Sequence, residues 1–182
     1  MRVLISGGPG SGCTSTAKLL GDKLGLQVLD SDTFFHKPTD PPFQEQYSPA
    51  ERKQLLEDAL DRSPNWILSG SIAMWDADLP TIQLGVFMDT PKEVRLRRLE
   101  LRERERFGDR IDPGGDLHTE NRLFMEWASA YEDRSGRSRN RSADRDFVID
   151  QCDDFVEIRS SKSLDEITSE IGNLLADPMK QA

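Results

Sequence analysis

The sequence is poor in the residues that would make several kinds of function simple to assign. Its two cysteines, Cys13 and Cys152, stand far apart without Cys-x-x-Cys spacing, which excludes a disulfide framework and a cysteine zinc site. His36 and His118 are the only histidines, so no His-based metal cluster can be assembled. No apolar run approaches the roughly 18 residues that cross a bilayer. The opening MRVLIS holds three consecutive apolar residues after its arginine, too few for a signal-peptide core, and a cytoplasmic protein is expected. Basic residues are outnumbered, leaving a net charge of −9. That argues against a general nucleic-acid or anionic-membrane surface, though local basic clusters remain compatible with it.

What is there suits one α/β domain spanning residues 1–182. RVLIS, LQVLD (Leu26 to Asp30), WILSG (Trp66 to Gly70), IQLGVFMD and FVEIR (Phe155 to Arg159) read as five strands separated by helices, the pattern of an open parallel sheet. The first helix carries Ala17, Leu20 and Leu24 at helical spacing. Ser48-Pro49-Ala50-Glu51, Thr90-Pro91-Lys92-Glu93 and Ser163-Leu164-Asp165-Glu166 each read as a capped helix start. Leu55, Leu56, Ala59 and Leu60 form the inward stripe of the first of these, and Ile167, Ile171, Leu174 and Leu175 that of the last. The stretch Ser138 to Cys152 favours helix with Ser142 as its cap, with a strand at DFVID as the alternative. DRSGRSRNRS (Asp133 to Ser142) is expected to be a mobile surface loop.

One further absence carries the most information. GGPGSGCT, Gly7 to Thr14, meets the pattern Gly-x4-Gly-Lys-[Ser/Thr] at Gly7, Gly12 and Thr14, but Cys13 stands where the lysine should be. A strand, a glycine-rich turn and a helix with a hydroxyl in its first turn is the context of a phosphate-binding P-loop. The nucleotide-binding set is Gly8, Pro9, Gly10, Ser11, Gly12, Cys13, Thr14 and Ser15. Backbone N–H groups from Gly8 to Thr14 would converge on phosphate oxygens at the positive end of a helix, with the Thr14 hydroxyl at a Mg2+ position. A lysine would add a charge-assisted contact of roughly 1.5–3 kcal/mol, or about ten- to a hundredfold in rate. Lys18 lies too far round the helix to replace it, and an arginine from a lid is the better candidate. Cys13 itself reads either as a thiol of lowered pKa acting as a redox switch or as a small neutral filler, the preferred reading.

Asp30 and Asp32 end the second strand beside this loop. One would hold Mg2+ with Thr14 and the other would orient or deprotonate an acceptor hydroxyl; an Asp-capped turn is the plainer alternative. HKPTDPPF (His36 to Phe43) suits one wall of a substrate pocket. The substrate-binding candidates are Asp32, Phe35, Pro42, Phe43, Gly70, which would permit close ligand approach, Ser71 and Trp75, for which a core position is the default. The helix from Pro91 carries Arg98, Arg102 and Arg106 on one face, with Arg110 beyond. These four are candidate catalytic residues with Asp30 and Asp32, in a lid of about 98–118 opposite an acceptor-site insertion of about 33–62.

GGPGSG resembles the phosphate loop of adenylate kinases, and DSD after strand two is similar to that of shikimate kinases. PTDPPF, GS with a following Trp, RI-PGGD-H and WASAY resemble a bacterial adenylate-kinase-like group whose lysine position commonly holds Thr or another small residue. The chain is therefore similar to the P-loop nucleoside/nucleotide kinase superfamily. The resemblance implies a three-layer P-loop NTPase fold with a five-stranded parallel sheet in the order 2-3-1-4-5. It also implies ATP or another nucleoside triphosphate with Mg2+, and a nucleotide or metabolite hydroxyl as acceptor. No nucleic-acid or membrane partner is expected, and the chain is expected to be a monomer or homodimer. The alternative is a non-catalytic switch that closes on ATP or GTP and signals to a protein partner.

Overall fold

The computed structural model describes residues 1–136, 138–159 and 162–176. Five strands form one sheet: β1 (Arg2–Gly7), β2 (Gln27–Asp30), β3 (Trp66–Ser69), β4 (Ile82–Asp89) and β5 (Cys152–Arg159). Every pairing is parallel and the order is β2-β3-β1-β4-β5, the expected α/β architecture.

Strands β1 and β3 are apolar on both faces because helices cover both. On one side Val3, Ile5, Ile67 and Val86 pack with Ala17 and Leu20 of α1 (Cys13–Leu24) and Ile167 and Ile171 of α7 (Leu164–Ala176). On the other, Leu4, Leu29, Trp66 and Leu68 meet Leu56 and Leu60 of α3 (Pro49–Asp61) and Val148 of α6 (Arg141–Gln151). Each such side chain contributes roughly 1.5–3 kcal/mol on leaving water. A short α2 (Ser31–Phe35) leaves β2 directly. After β4 come α4 (Lys92–Phe107), a 3₁₀ turn at Gly108–Ile111 and α5 (His118–Ser129), which packs on α4.

Two helix starts follow their sequence signals. Ser48 N–H donates to Glu51 Oε2 at 2.8 Å and Glu51 N–H to Ser48 Oγ at 3.3 Å, and Ser163 and Glu166 repeat the exchange. Other expectations are corrected. Thr90 does not cap α4; its hydroxyl donates to Ser11 O at 3.3 Å and ties the end of β4 to the glycine loop. The cap of α6 is Asn140, whose side chain accepts from Ala143 N–H at 2.9 Å, and not Ser142. Leu24 and Leu55 fall on exposed faces. Strand β5 begins at Cys152, opposite Ile82, three residues before the expected Phe155.

The segment read as a free surface loop is instead pinned. Arg139 donates to Gly7 O at 3.1 Å, Arg141 pairs with Asp89 and Glu157, and Asn140 is 5% exposed. Arg139 and Arg141 looked like part of a solvated run only because these partners lie on distant strands.

Register then fixes the site. Ile5 and Asp30 both sit opposite Ser69, so the turns after β1, β2 and β3 emerge at one edge of the sheet, where parallel folds bind ligands.

Candidate functional site

The loop after β1 turns through Gly10 and Gly12, at φ +82° and +96°. At Gly10 a Cβ would also lie 2.5 Å from Arg95 O, so the glycine there serves both the turn and close approach to α4. Arg95, 1% exposed, donates from Nη1 to Pro9 O at 2.8 Å and pairs with Glu132. The loop thus rests on α4 and wraps the N-terminus of α1, whose first turn carries no acidic residue.

Around this loop opens a cleft of about 1660 Å³. Pro9, Gly10, Gly12, Cys13, Thr14 and Ser15 line it, whereas Gly8 and Ser11 do not. Gly8 is packed on the Tyr131 ring, and Ser11 is 1% exposed behind the loop.

Cys13 is 8% exposed with Sγ 3.2 Å from Ser11 Oγ, and burial pushes its thiol up to about 11. This is the reverse of the activation that a redox switch requires and favours the filler reading. Beside it, the Thr14 hydroxyl lies close to the Asp30 carboxyl. Burial, and then the neighbouring Asp32, raise the pKa of Asp30, against the opposing effects of Asp32 N–H and Thr14. Asp30 also caps α2 by accepting from Asp32 N–H at 3.1 Å. The capped turn and the site carboxylate are therefore the same residue.

Asp32, Phe35, Pro42, Phe43, Gly70, Ser71 and Trp75 all line the far part of the cleft. Two of them also have structural tasks. A Cβ on Gly70, at φ +102°, would meet Ser31 Oγ at 2.0 Å, so the glycine there permits the close packing of Ser31. Ser71 donates to Asp144 at 2.6 Å. The wall is aromatic: His36 meets Phe35 and Phe43 edge-on at 4.8 and 4.9 Å, and Arg52 lies over Phe35 at 4.1 Å.

Across the cleft, Arg98, Arg102 and Arg106 present one face of α4. Arg98 Nη1 donates to Ser11 O at 3.3 Å. Arg102 and Arg106 both pair with the buried Glu103, and Arg106 also covers the Phe43 ring at 4.7 Å. Arg110 does not line the cleft; it is bound to Asp116 at 2.7 Å on the outer side.

Sequence reasoning missed Arg52, Tyr131, Arg139 and Asp144. Tyr131 ends the WASAY stretch, but no motif or period marks the other three, and the density of arginine between 134 and 145 was the one further hint.

No protein-family model matches the chain. Over 166 residues, 91% of the chain and 92% of the relative, it is 30% identical to the uncharacterized protein YqaC of Bacillus subtilis (strain 168). The chain belongs to the YqaC family. This YqaC-family chain is also 26% identical over 114 residues to a cytidylate kinase of Archaeoglobus fulgidus, 57% of the chain and 62% of that enzyme. To one of Methanococcus maripaludis (strain C5) it is 32% identical over 117 residues, 58% and 66%. The match thus spans about two thirds of the length of these kinases. In fold the chain resembles a sugar kinase of Janibacter sp. HTCC2649, with a TM-score of 0.53 at 16% identity over 98% of this chain and 96% of that one. At family level, sequence and fold are kinase-like.

Proposed function

We propose that the protein is a phosphotransferase moving the γ-phosphoryl group of ATP, with Mg2+, to a small acceptor, either a nucleotide or a metabolite hydroxyl. The observation that carries this reading is the continuity of the cleft. It runs from the phosphate loop, past Asp30 and Asp32, to the aromatic wall of Phe35, Phe43 and Trp75. Single-ligand pockets occupy roughly 300–1,000 Å³, and about 1660 Å³ leaves room for two substrates. Kinship with cytidylate kinases supports nucleotide use.

The donor set fits a hard cation. The Asp30 carboxylate lies partly buried close to the Thr14 hydroxyl and beside a second acid, Asp32, a charge that a cation would relieve. Thr14 and Asp30 would hold Mg2+, which supplies charge neutralisation for the phosphates. Asp32 would take the proton of an acceptor hydroxyl while that oxygen bonds to the γ-phosphorus. The bond from phosphorus to the bridging oxygen breaks, and ADP leaves with the electron pair. Arg98, Arg102 and Arg106 would neutralise charge on the transferred group. Arg110, engaged with Asp116, is not assigned a part.

One observation favours the non-catalytic switch instead: position 13 supplies no cation. ADP release from Mg-ATP, screened against pooled nucleoside monophosphates and pooled hydroxylated metabolites with ATP-analogue binding measured alongside, separates the two readings. Turnover with one pool is expected; tight binding without turnover in any pool would make the chain a switch.

A further inference from the structure

Position 13 carries no charge, yet a guanidinium stands beside the loop it belongs to. Arg139 lies just before α6, donates from Nη2 to Gly7 O at 3.1 Å, and lines the cleft with 27% of its side chain exposed. It is held from behind by Asp144, a carboxylate 1% exposed that accepts from Arg139 Nε at 3.3 Å, Ser71 Oγ at 2.6 Å and Tyr131 Oη at 2.8 Å. An unpaired carboxylate at that depth would be strongly unfavourable. These three donors account for it, and Arg139 is the charged one among them.

We propose that Arg139, positioned by Asp144, is a phosphate-binding side chain of the loop and takes the part of the missing P-loop lysine toward the outer phosphates of a nucleoside triphosphate. A guanidinium has five N–H donors, and the bonds to Gly7 and Asp144 use two. The α4 arginines are placed differently. Arg102 and Arg106 are tied to Glu103, and Arg98 approaches the loop at Ser11 and Gly12. Arg139 instead reaches the Gly7 end of the loop. The network also spans Ser71 after β3, Tyr131 after α5 and Gly7 at the end of β1. The cation is therefore held directly at Gly7 and at Asp144, and Asp144 in turn by the turns after β3 and α5, as a fixed phosphate ligand must be.

This inference rests on the loop binding a nucleoside triphosphate. The test is titration of inorganic triphosphate in Mg2+ buffer, followed by calorimetry, with thermal midpoints recorded for every variant. Arg139→Ala should weaken triphosphate binding about 10- to 100-fold, the range for one charge-assisted bond, and Arg139→Lys should retain part of it. Adding Cys13→Lys to Arg139→Ala should recover about tenfold or more, because the lysine then occupies the vacated space. Unchanged binding in Arg139→Ala would overturn the proposal. So would a loss that Cys13→Lys does not recover while the midpoint collapses, since that would make Arg139 a structural strut. A parent protein that binds triphosphate but turns over no acceptor would sink the kinase reading and leave Arg139 in its role. A parent that does not bind triphosphate would overturn both.

Discussion

At position 13 burial raises the thiol while the Ser11 hydrogen bond and the Arg139 charge lower it, and burial prevails, pushing it up to about 11. At pH 8 only about one thiol in a thousand would then be ionised, and disulfide-exchange labelling should run on the order of a hundredfold slower than for an ordinary cysteine. Labelling at the ordinary rate in the folded protein would restore the redox-switch reading. Asp30 is shifted the same way, a carboxyl raised by burial and by Asp32. Its protonated form is favoured by folding, so its contribution to stability is complete below the unfolded carboxyl pKa of about 4 and is lost as pH rises through the higher folded value. Asp30→Asn keeps an oxygen to accept from Asp32 N–H and removes the charge. The thermal midpoint should therefore rise relative to the parent at pH 7 and match it near pH 3, while turnover falls. A lower midpoint at pH 7 would mean that the carboxylate is not under desolvation stress.

The elements that were legible in the sequence are those whose signals are local. Short apolar runs became β1 to β4, and Ser48-Pro49-Ala50-Glu51 became the start of α3 with both capping-box bonds formed. Ser48→Ala should lower stability by about 1 kcal/mol. In a chain of this size that is a fall of about 2–4 °C in midpoint, read by thermal denaturation; no change would mean that solvent satisfies the Glu51 amide equally well. What was illegible depends on distant partners. The start of β5 is set by pairing with Ile82, and Asn140 outranks Ser142 as a cap because Arg139 and Arg141 on either side of it are bound to the sheet edge. The site divides in the same way. The glycine loop, the paired carboxylates and the α4 arginines follow from motif and spacing, but Arg52 and the Ser71–Asp144–Tyr131–Arg139 network arise only when the fold brings separate turns together.

For the whole molecule, charge poses a problem that the cleft resolves. A protein of net charge −9 should repel a polyphosphate, yet seven basic side chains line the cleft against four acidic ones among the described residues. The two fields differ in range. At 0.1 M salt the Debye length is about 10 Å, so the global charge is screened at a distance while the close arginines act largely unscreened in a partly buried site. The two influences make opposite predictions for ATP binding as salt rises from about 0.02 to about 0.2 M, where the screening length contracts from roughly 20 to 7 Å. If the net charge governs the encounter, salt relieves repulsion and affinity increases. If the cleft arginines govern it, salt competes with the phosphates and affinity decreases, and this is the expected result. Calorimetric titration of Mg-ATP across that range decides it, with the thermal midpoint at saturating ligand as an independent reading. Ligand at about 100 times its dissociation constant adds roughly 2.7 kcal/mol to folding, or on the order of 5–10 °C, and that increment should shrink with salt when total ATP is held constant. An affinity that climbs with salt would place the binding energy in stacking and backbone contacts, and would remove the ground for giving Arg98, Arg102, Arg106 and Arg139 a role in holding phosphate.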